Sequence, residues 1–537
     1  MRPALKLAAA SFCLIGLAGT AALAADDAEL ERIRLAIAEA ITPGPDPTDP
    51  HIVLAEPVGA AWRDGRAIIS LKGAKVVTPG DSTAIIGDVE IAVLPRDAGF
   101  YDFDVTMPKS FDIIAVDGTP EGKFIFGGYR LAGTWAREVG SLTNLDAAFA
   151  NIEVKDMKPD GDDLNATLGK LEARMNYTKG PDGLWSGTAN AGFSDFHMLA
   201  DGSEDVSIAR LEIKGSTAGS DWAAWQQVMD KMGAFSEPNA TPPTEAARKA
   251  LGLALRNVNW GANDGSLSIS GISASSGGQR IFTLGNTTLK LALDGVKEAG
   301  PFSFRLAVDD LSVEENTLPT NLAPTKGALD FTFDPFPVRA LFGSMFEQMM
   351  DELMAPPPSA EDSANVIPPD DGTEAMPSNE SQEAMPPDNV AEGEIEPPPS
   401  ETQEAPMMGP FAADDLFLQQ LFAFGTVFAL NEFSINAPGT GVNASGRLKV
   451  DMEAMGMGTG KLKASVRGID ALLAYANAEA QSDEEMKDAA TFLIFLKGLG
   501  KPESGAGGET AYVYEIDVPK DGPPTVNGTP LDGIMGQ

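Results

Sequence analysis

Phe302-Ser303-Phe304-Arg305-Leu306-Ala307-Val308-Asp309 is the stretch that decides the fold. Phe302, Phe304, Leu306 and Val308 occupy one parity, and Ser303, Arg305, Ala307 and Asp309 occupy the other. Side chains of an extended strand leave alternate faces, so this period of two describes a strand with one apolar and one wet face. Such strands belong to antiparallel sheets. Working outward, Leu289, Leu291 and Leu293 alternate with Lys290, Ala292 and Asp294. Leu329, Phe331 and Phe333 alternate with Asp330, Thr332 and Asp334. Tyr101, Phe103, Val105 and Met107 do so against Asp102, Asp104 and Thr106, and Leu448, Val450 and Met452 against Arg447, Lys449 and Asp451. Asp-Gly pairs recur, among them Asp64-Gly65, Asp117-Gly118, Asp182-Gly183, Asp264-Gly265 and Asp294-Gly295. That dipeptide supplies the positive φ of a tight hairpin. The bulk of the chain therefore reads as meandering antiparallel sheet.

Helical periodicity interrupts the strands. Asp26–Ile41 places Leu30, Ile33, Ile37 and Ile41 on one face, and Asp221–Met232 groups Trp222, Trp225, Met229 and Met232. Thr244–Arg256, Phe336–Met354, Asp414–Leu430 and the stretch opened by Ser482-Asp483-Glu484-Glu485 also read as helices, the last from a capping-box pattern. Hairpins are expected after the helical stretches, at Ala61–Lys72, Asn257–Gly271, Asn431–Leu448 and Glu515–Leu531. A unit of strand, helix, linker, helix and hairpin thus recurs three times at the level of pattern. The expected fold is α+β: an extended, curved antiparallel β-sheet with helical hairpins packed on one face.

The N-terminus carries Arg2 and Lys6, an uncharged run from Leu7 to Leu23, and Ala22-Leu23-Ala24 before Asp26-Asp27. This is the form of a secretory signal peptide cleaved after residue 24. Cleavage would remove Cys13, the single cysteine, leaving no thiol and no spanning segment. Residues 355–406 hold thirteen Asp or Glu and twelve Pro but no Lys or Arg. Such a composition cannot offset its ordering entropy by burial, so the segment reads as a disordered acidic insert. The expected organisation is a signal peptide (1–24), an N-terminal β-rich region with a leading helix (25–215), a middle region (216–354), the insert (355–406) and a C-terminal helix and hairpin region (407–537).

The formal net charge of −39 excludes a nucleic-acid partner, whose recognition needs a basic footprint. Only His51 and His197 could serve as imidazole acid, base or ligand. Met455–Lys461 lacks the leading Gly and the Ser or Thr of a phosphate loop. Asp160, Asp162 and Asp163 lack the closing Glu of a calcium loop. Asp102 and Asp104 share a strand face, as a glycosidase pair would, but so do many acidic residues on wet strand faces. No catalytic residue, metal site or cofactor is expected.

The turns Ala292-Leu293-Asp294-Gly295-Val296, Val308-Asp309-Asp310-Leu311 and Val466-Arg467-Gly468-Ile469, with the terminal Asp521-Gly522-Pro523-Pro524-Thr525-Val526-Asn527-Gly528, resemble YdgA-type domains of unknown function within the AsmA-like bacterial envelope proteins. The resemblance implies a β-rich periplasmic protein of envelope maintenance, with lipid handling as the related activity and no catalytic residues.

The leading functional expectation is a non-catalytic exported protein that binds or shields apolar, lipid-like cargo. The competing one is a ligand-free structural module docking an envelope protein, and an enzyme of unrecognised type is third. The surface expected to hold the apolar ligand or partner is the helical stripe of Phe342, Met345, Phe346, Met349 and Leu353.

Overall fold

The computed structural model describes residues 27–42, 50–78, 82–96, 99–157, 164–200, 202–236, 245–259, 261–295, 297–313, 319–341, 420–451, 458–480, 484–504 and 509–531. Strands hold 63% of these residues and helices 19%, so the protein is mostly β rather than α+β.

The first described element is helix α1 (Asp27–Ala40), followed by strands β1 (His51–Val53), β2 (Gly59–Arg63), β3 (Arg66–Val77), β4 (Ser82–Pro95), β5 (Phe100–Thr106) and β6 (Ser110–Ala115). Five long strands come next: β7 (Pro120–Ala136), β8 (Ser141–Met157), β9 (Leu164–Lys179), β10 (Trp185–Ala200) and β11 (Glu204–Ser220). Helices α2 (Trp222–Ser236) and α3 (Glu245–Asn257) intervene before β12 (Ala262–Ser276), β13 (Gln279–Asp294), β14 (Gly300–Val313) and β15 (Lys326–Phe336). β16 (Val427–Asn436), β17 (Gly441–Val450) and β18 (Gly458–Arg467) precede α4 (Ile469–Glu479) and α5 (Glu484–Leu499). β19 (Lys501–Ser504), β20 (Thr510–Val518), β21 (Thr525–Val526) and β22 (Thr529–Pro530) complete the sequence.

Among the described residues all 22 strands belong to one sheet, and every pairing is antiparallel. β3 carries β1 and β2 on one edge and β4 on the other. β4 pairs with β5 and β6, which both pair with β7. From β7 to β18 each strand pairs with the next in sequence. β18 then pairs with β20, which also holds β19 and β21.

Among the described residues helical hairpins do not line a face of this sheet along its length; helices cover only its ends. The helices enter where strands turn: α2 and α3 between the partners β11 and β12, and α4 and α5 between β18 and β20. α2 and α3 bury Val228, Leu251 and Leu255 against each other, together with Val258 just beyond α3. Trp222, opening α2, stacks on Trp185 at the start of β10 with ring centroids 5.1 Å apart. Among the described residues the five α-helices supply too little apolar surface to roof so large a sheet. Three further expectations are corrected. Asp264-Gly265 forms no turn but lies inside β12, where Gly265 faces Gly215 and Leu291. Residues 427–430, expected in a helix, begin β16, and Phe336 ends β15 rather than opening a helix.

The principal core lies at the N-terminal end. Ile33 and Ile37 of α1 insert among Ile69, Leu71, Val89, Val93, Phe103 and Leu145. The α1 stripe repeats every three to four residues, as an apolar face must. Glu29 on the same helix is buried; its carboxylate accepts a hydrogen bond from Tyr101 Oη at 3.0 Å and pairs with Arg32. A second core forms at the C-terminal end, where Leu493, Leu496 and Leu499 of α5 cover Val466, Tyr512 and Tyr514.

One row of residues breaks the alternation across eight strands. Opposite one another lie Gly127, Asn151, Gly169, Asp195, Ala209, Gly271, Gly285 and Asp310, flanked on each side by paired residues. Asn151, Asp195, Gly271 and Asp310, on alternate strands, take φ of 49°, 56°, 63° and 57°. The insertion shifts parity by one residue in every strand at the same level. β8 is apolar at Leu145, Ala147 and Phe149 below this crease and at Ile152 and Val154 above it. Because all eight strands shift together, the apolar residues stay on one face.

Candidate functional site

That face is the candidate site. Ala173, Ala191, Ile213, Leu267, Leu289, Leu306 and Leu329 form one row from β9 to β15, and Leu171, Phe193, Leu211, Ile269 and Val308 lie in the next. Above the crease the row is Leu168, Phe196, Ile208, Ile272, Leu284 and Leu311. Between the row of Met198 and Val206 and the row of Leu293 and Phe302, this face carries no Asp, Glu, Lys, Arg or His from β9 to β16. The chain as a whole is 22% charged, so the segregation is strong.

The charges sit on the reverse face. Asp146, Arg174, Asn190, Lys214, Ser266, Lys290, Arg305, Asp330 and Glu432 lie along one row there. Arg305 reaches Asp330 at 2.9 Å and Glu432 at 3.4 Å, and Arg130 reaches Asp146 at 3.1 Å. Lys214 first, and Arg210 after it, hold the Glu212 carboxyl below the usual carboxylate range against the opposing effect of burial. A shallow groove of ≈ 570 Å³ on this face is lined by Asn144, Asp146, Arg174, Asn190, Lys214 and Asp264. Arg174 is paired with Asp146 and Glu172, and Lys214 with Glu212.

The apolar face is only half-buried. Of its residues in these rows only Ala173 is buried, whereas Ile213 is 50% exposed, and on the same face Ile435 is 44% and Leu291 42% exposed. At ~3.3 Å per residue and ~4.8 Å between strands, it measures about 35 Å in each direction. The largest apolar patch on an ordinary monomer is roughly 300–600 Å², and this face exceeds it. Toward β15 and β16 its floor is aromatic: Phe304 stacks on Phe331 at 5.0 Å, while Phe302 lies tilted against Phe336 at 5.1 Å and Phe333 against Phe428 at 5.2 Å. α1 closes the face at one end and α5 at the other.

Over residues 356–519 the chain matches the family described as an uncharacterized protein conserved in bacteria, DUF2125. No curated protein and no solved structure matches the chain. The DUF2125 match takes in β16 to β20 together with α4 and α5, the C-terminal end of the apolar face.

Phe342, Met345, Phe346, Met349 and Leu353 lie outside the described residues, as do residues 1–26 and 355–406, where a signal peptide and an acidic insert were expected. Sequence reasoning read Phe302, Phe304, Leu306, Phe331 and Phe333 as the apolar side of half-buried strands, and looked for the ligand surface on a helix instead. The signal available was the missing charge on one parity, sustained across many strands. Asp102 and Asp104 form no isolated carboxylate pair: Asp102 accepts from Arg96 at 2.8 Å and Thr134 at 2.7 Å, and Asp104 from Arg66 at 2.7 Å. His197 contacts Asp205 at 2.9 Å on the exposed polar face. Among the described residues no three His, Cys, Asp or Glu side chains group to hold a metal ion, and no helix is long and apolar enough to cross a membrane.

Proposed function

We propose that this is a non-catalytic exported envelope protein, of the AsmA-like kind, that holds or shields apolar lipid-like chains on the open face of its sheet in the periplasm. The observation that carries the reading is the uncharged, half-exposed face from β9 to β16. Its chemistry favours acyl chains over a protein. Protein interfaces concentrate binding energy in Trp, Tyr and Arg anchors and carry about one hydrogen bond per 100–200 Å². This face offers Leu, Ile, Val, Phe and Ala, with few groups able to donate or accept. Acyl chains need no directional partner, and their burial is favoured in proportion to area.

The test is native mass spectrometry of the exported protein purified without detergent, followed by lipid extraction. Bound lipid that disappears in Leu291→Asp and Ile213→Asp is the expected result. Lipid-free protein with a stoichiometric protein partner on this face would replace the reading by the docking module.

A further inference from the structure

α5 is apolar on two sides. Leu493 and Leu496 face the core with Tyr512 and Tyr514, yet Phe492 is 60% exposed, Ile494 58% and Phe495 41% on the outer side. From Ala489 to Leu496 the helix has no charge, with Asp488 and Lys497 bracketing the run. An ordinary surface helix is polar on its outer side, so this arrangement needs an occupant. We infer that the outer side of α5 inserts shallowly into a membrane surface of zwitterionic lipid.

Two observations select a bilayer over a protein. The first is the lack of directional chemistry. Thr491, the one hydroxyl among the outer apolar residues, donates to Lys487 O of its own helix at 3.0 Å. Phe492, Ile494 and Phe495 offer no side-chain donor or acceptor, whereas a protein partner would be met with hydrogen bonds and Trp, Tyr or Arg anchors. Helices lying in the interface plane bury Phe and Leu without such bonds. The second is continuity. The inner side of α5 covers the apolar face where it ends, at Val442, Val466 and Tyr512. A bilayer against the outer side therefore lies one helix away from that face. Charge then selects the lipid. A net charge of −39, with Glu484 and Glu485 in the first turn of α5, is repelled by anionic headgroups. The inference extends the reading of the apolar face but stands on different residues.

Flotation of the full-length protein with phosphatidylcholine vesicles tests it. Wild-type protein floats, and Phe492→Ser with Phe495→Ser lowers vesicle partitioning by about tenfold or more, as loss of ~1.4 kcal/mol or more requires. Replacing a third of the lipid by phosphatidylglycerol weakens binding. Wild-type protein that stays unfloated, an unchanged double variant, or tighter binding to the anionic vesicles overturns the proposal. Self-association through Phe492 and Phe495 in light scattering, in place of flotation, also overturns it. Leu291→Asp separates the two readings: it empties the apolar face of retained lipid and leaves flotation intact.

Discussion

The Asp195 side chain occupies the space that a Cβ on Gly169 would need. An added Cβ would lie 2.9 Å from Asp195 Cβ and 2.8 Å from its Oδ2. Asp195 holds φ at 56°, in the left-handed region that a short polar side chain tolerates. The pair is one step of the crease, and Gly285 with Asp310 repeats it, with an added Cβ 2.7 Å from Asp310 Cβ.

Gly169→Ala therefore destabilises the fold by about 1–3 kcal/mol, the usual range for overpacking. Asp195→Gly removes the clashing atoms and relieves the strained φ, so the double variant recovers most of the loss. Urea unfolding of the four members of the cycle measures this coupling. Additive effects would show that the two residues do not meet.

The closed and open parts of the apolar face respond differently to substitution. Ile69 and Leu71 are fully buried under α1, and either changed to Ala costs ~2–5 kcal/mol. Leu291→Asp and Ile213→Asp sit on the open part and cost no more than about 1 kcal/mol, as surface changes do. Equilibrium denaturation of all four variants decides it. Equal losses would mean that the open part is packed in solution.

Alkaline pH loosens both ends of the sheet. Burial first, then the hydrogen bond to Glu29, raises the Tyr101 phenol to about 12. Burial, then the neighbouring Tyr512, raises Tyr514 to about 12. Both folded values lie above the unfolded ~10. The stability they confer is therefore complete below pH ~10 and lost as pH rises through 12. Absorbance titration should show Tyr101 and Tyr514 ionising near pH 12, as unfolding sets in. Tyr101→Phe removes one of these late steps and leaves Glu29 without its hydroxyl donor, and thermal denaturation at pH 7 reads that cost.

Strand alternation around Phe302 and Leu289, and the α1 stripe of Ile33 and Ile37, were legible because one local period decides each. The role of Asp264-Gly265 was not, since a pair suited to a turn also fits a strand interior when its neighbours, Gly215 and Leu291, accept it. The burial of Glu29 was hidden because its partner, Tyr101, is far away in sequence. The open face was missed for another reason. Period two reports that one side of a strand is apolar, and says nothing of whether a helix, a ligand or water lies against it. The broken parity at Asn151, Asp195 and Asp310 was visible in the letters, but its meaning needed eight strands side by side.

Nearest-neighbour pairing from β7 to β18 makes the molecule a ruler graduated in strands. Each hairpin added or removed would lengthen or shorten the sheet by about 10 Å, two strand spacings, without disturbing pairings elsewhere. An inserted hairpin in the creased stretch would need its own left-handed residue at the shared level, or its apolar side chains would emerge among the charges. Reach can thus vary readily between descendants of such a chain, whereas the height of the crease cannot.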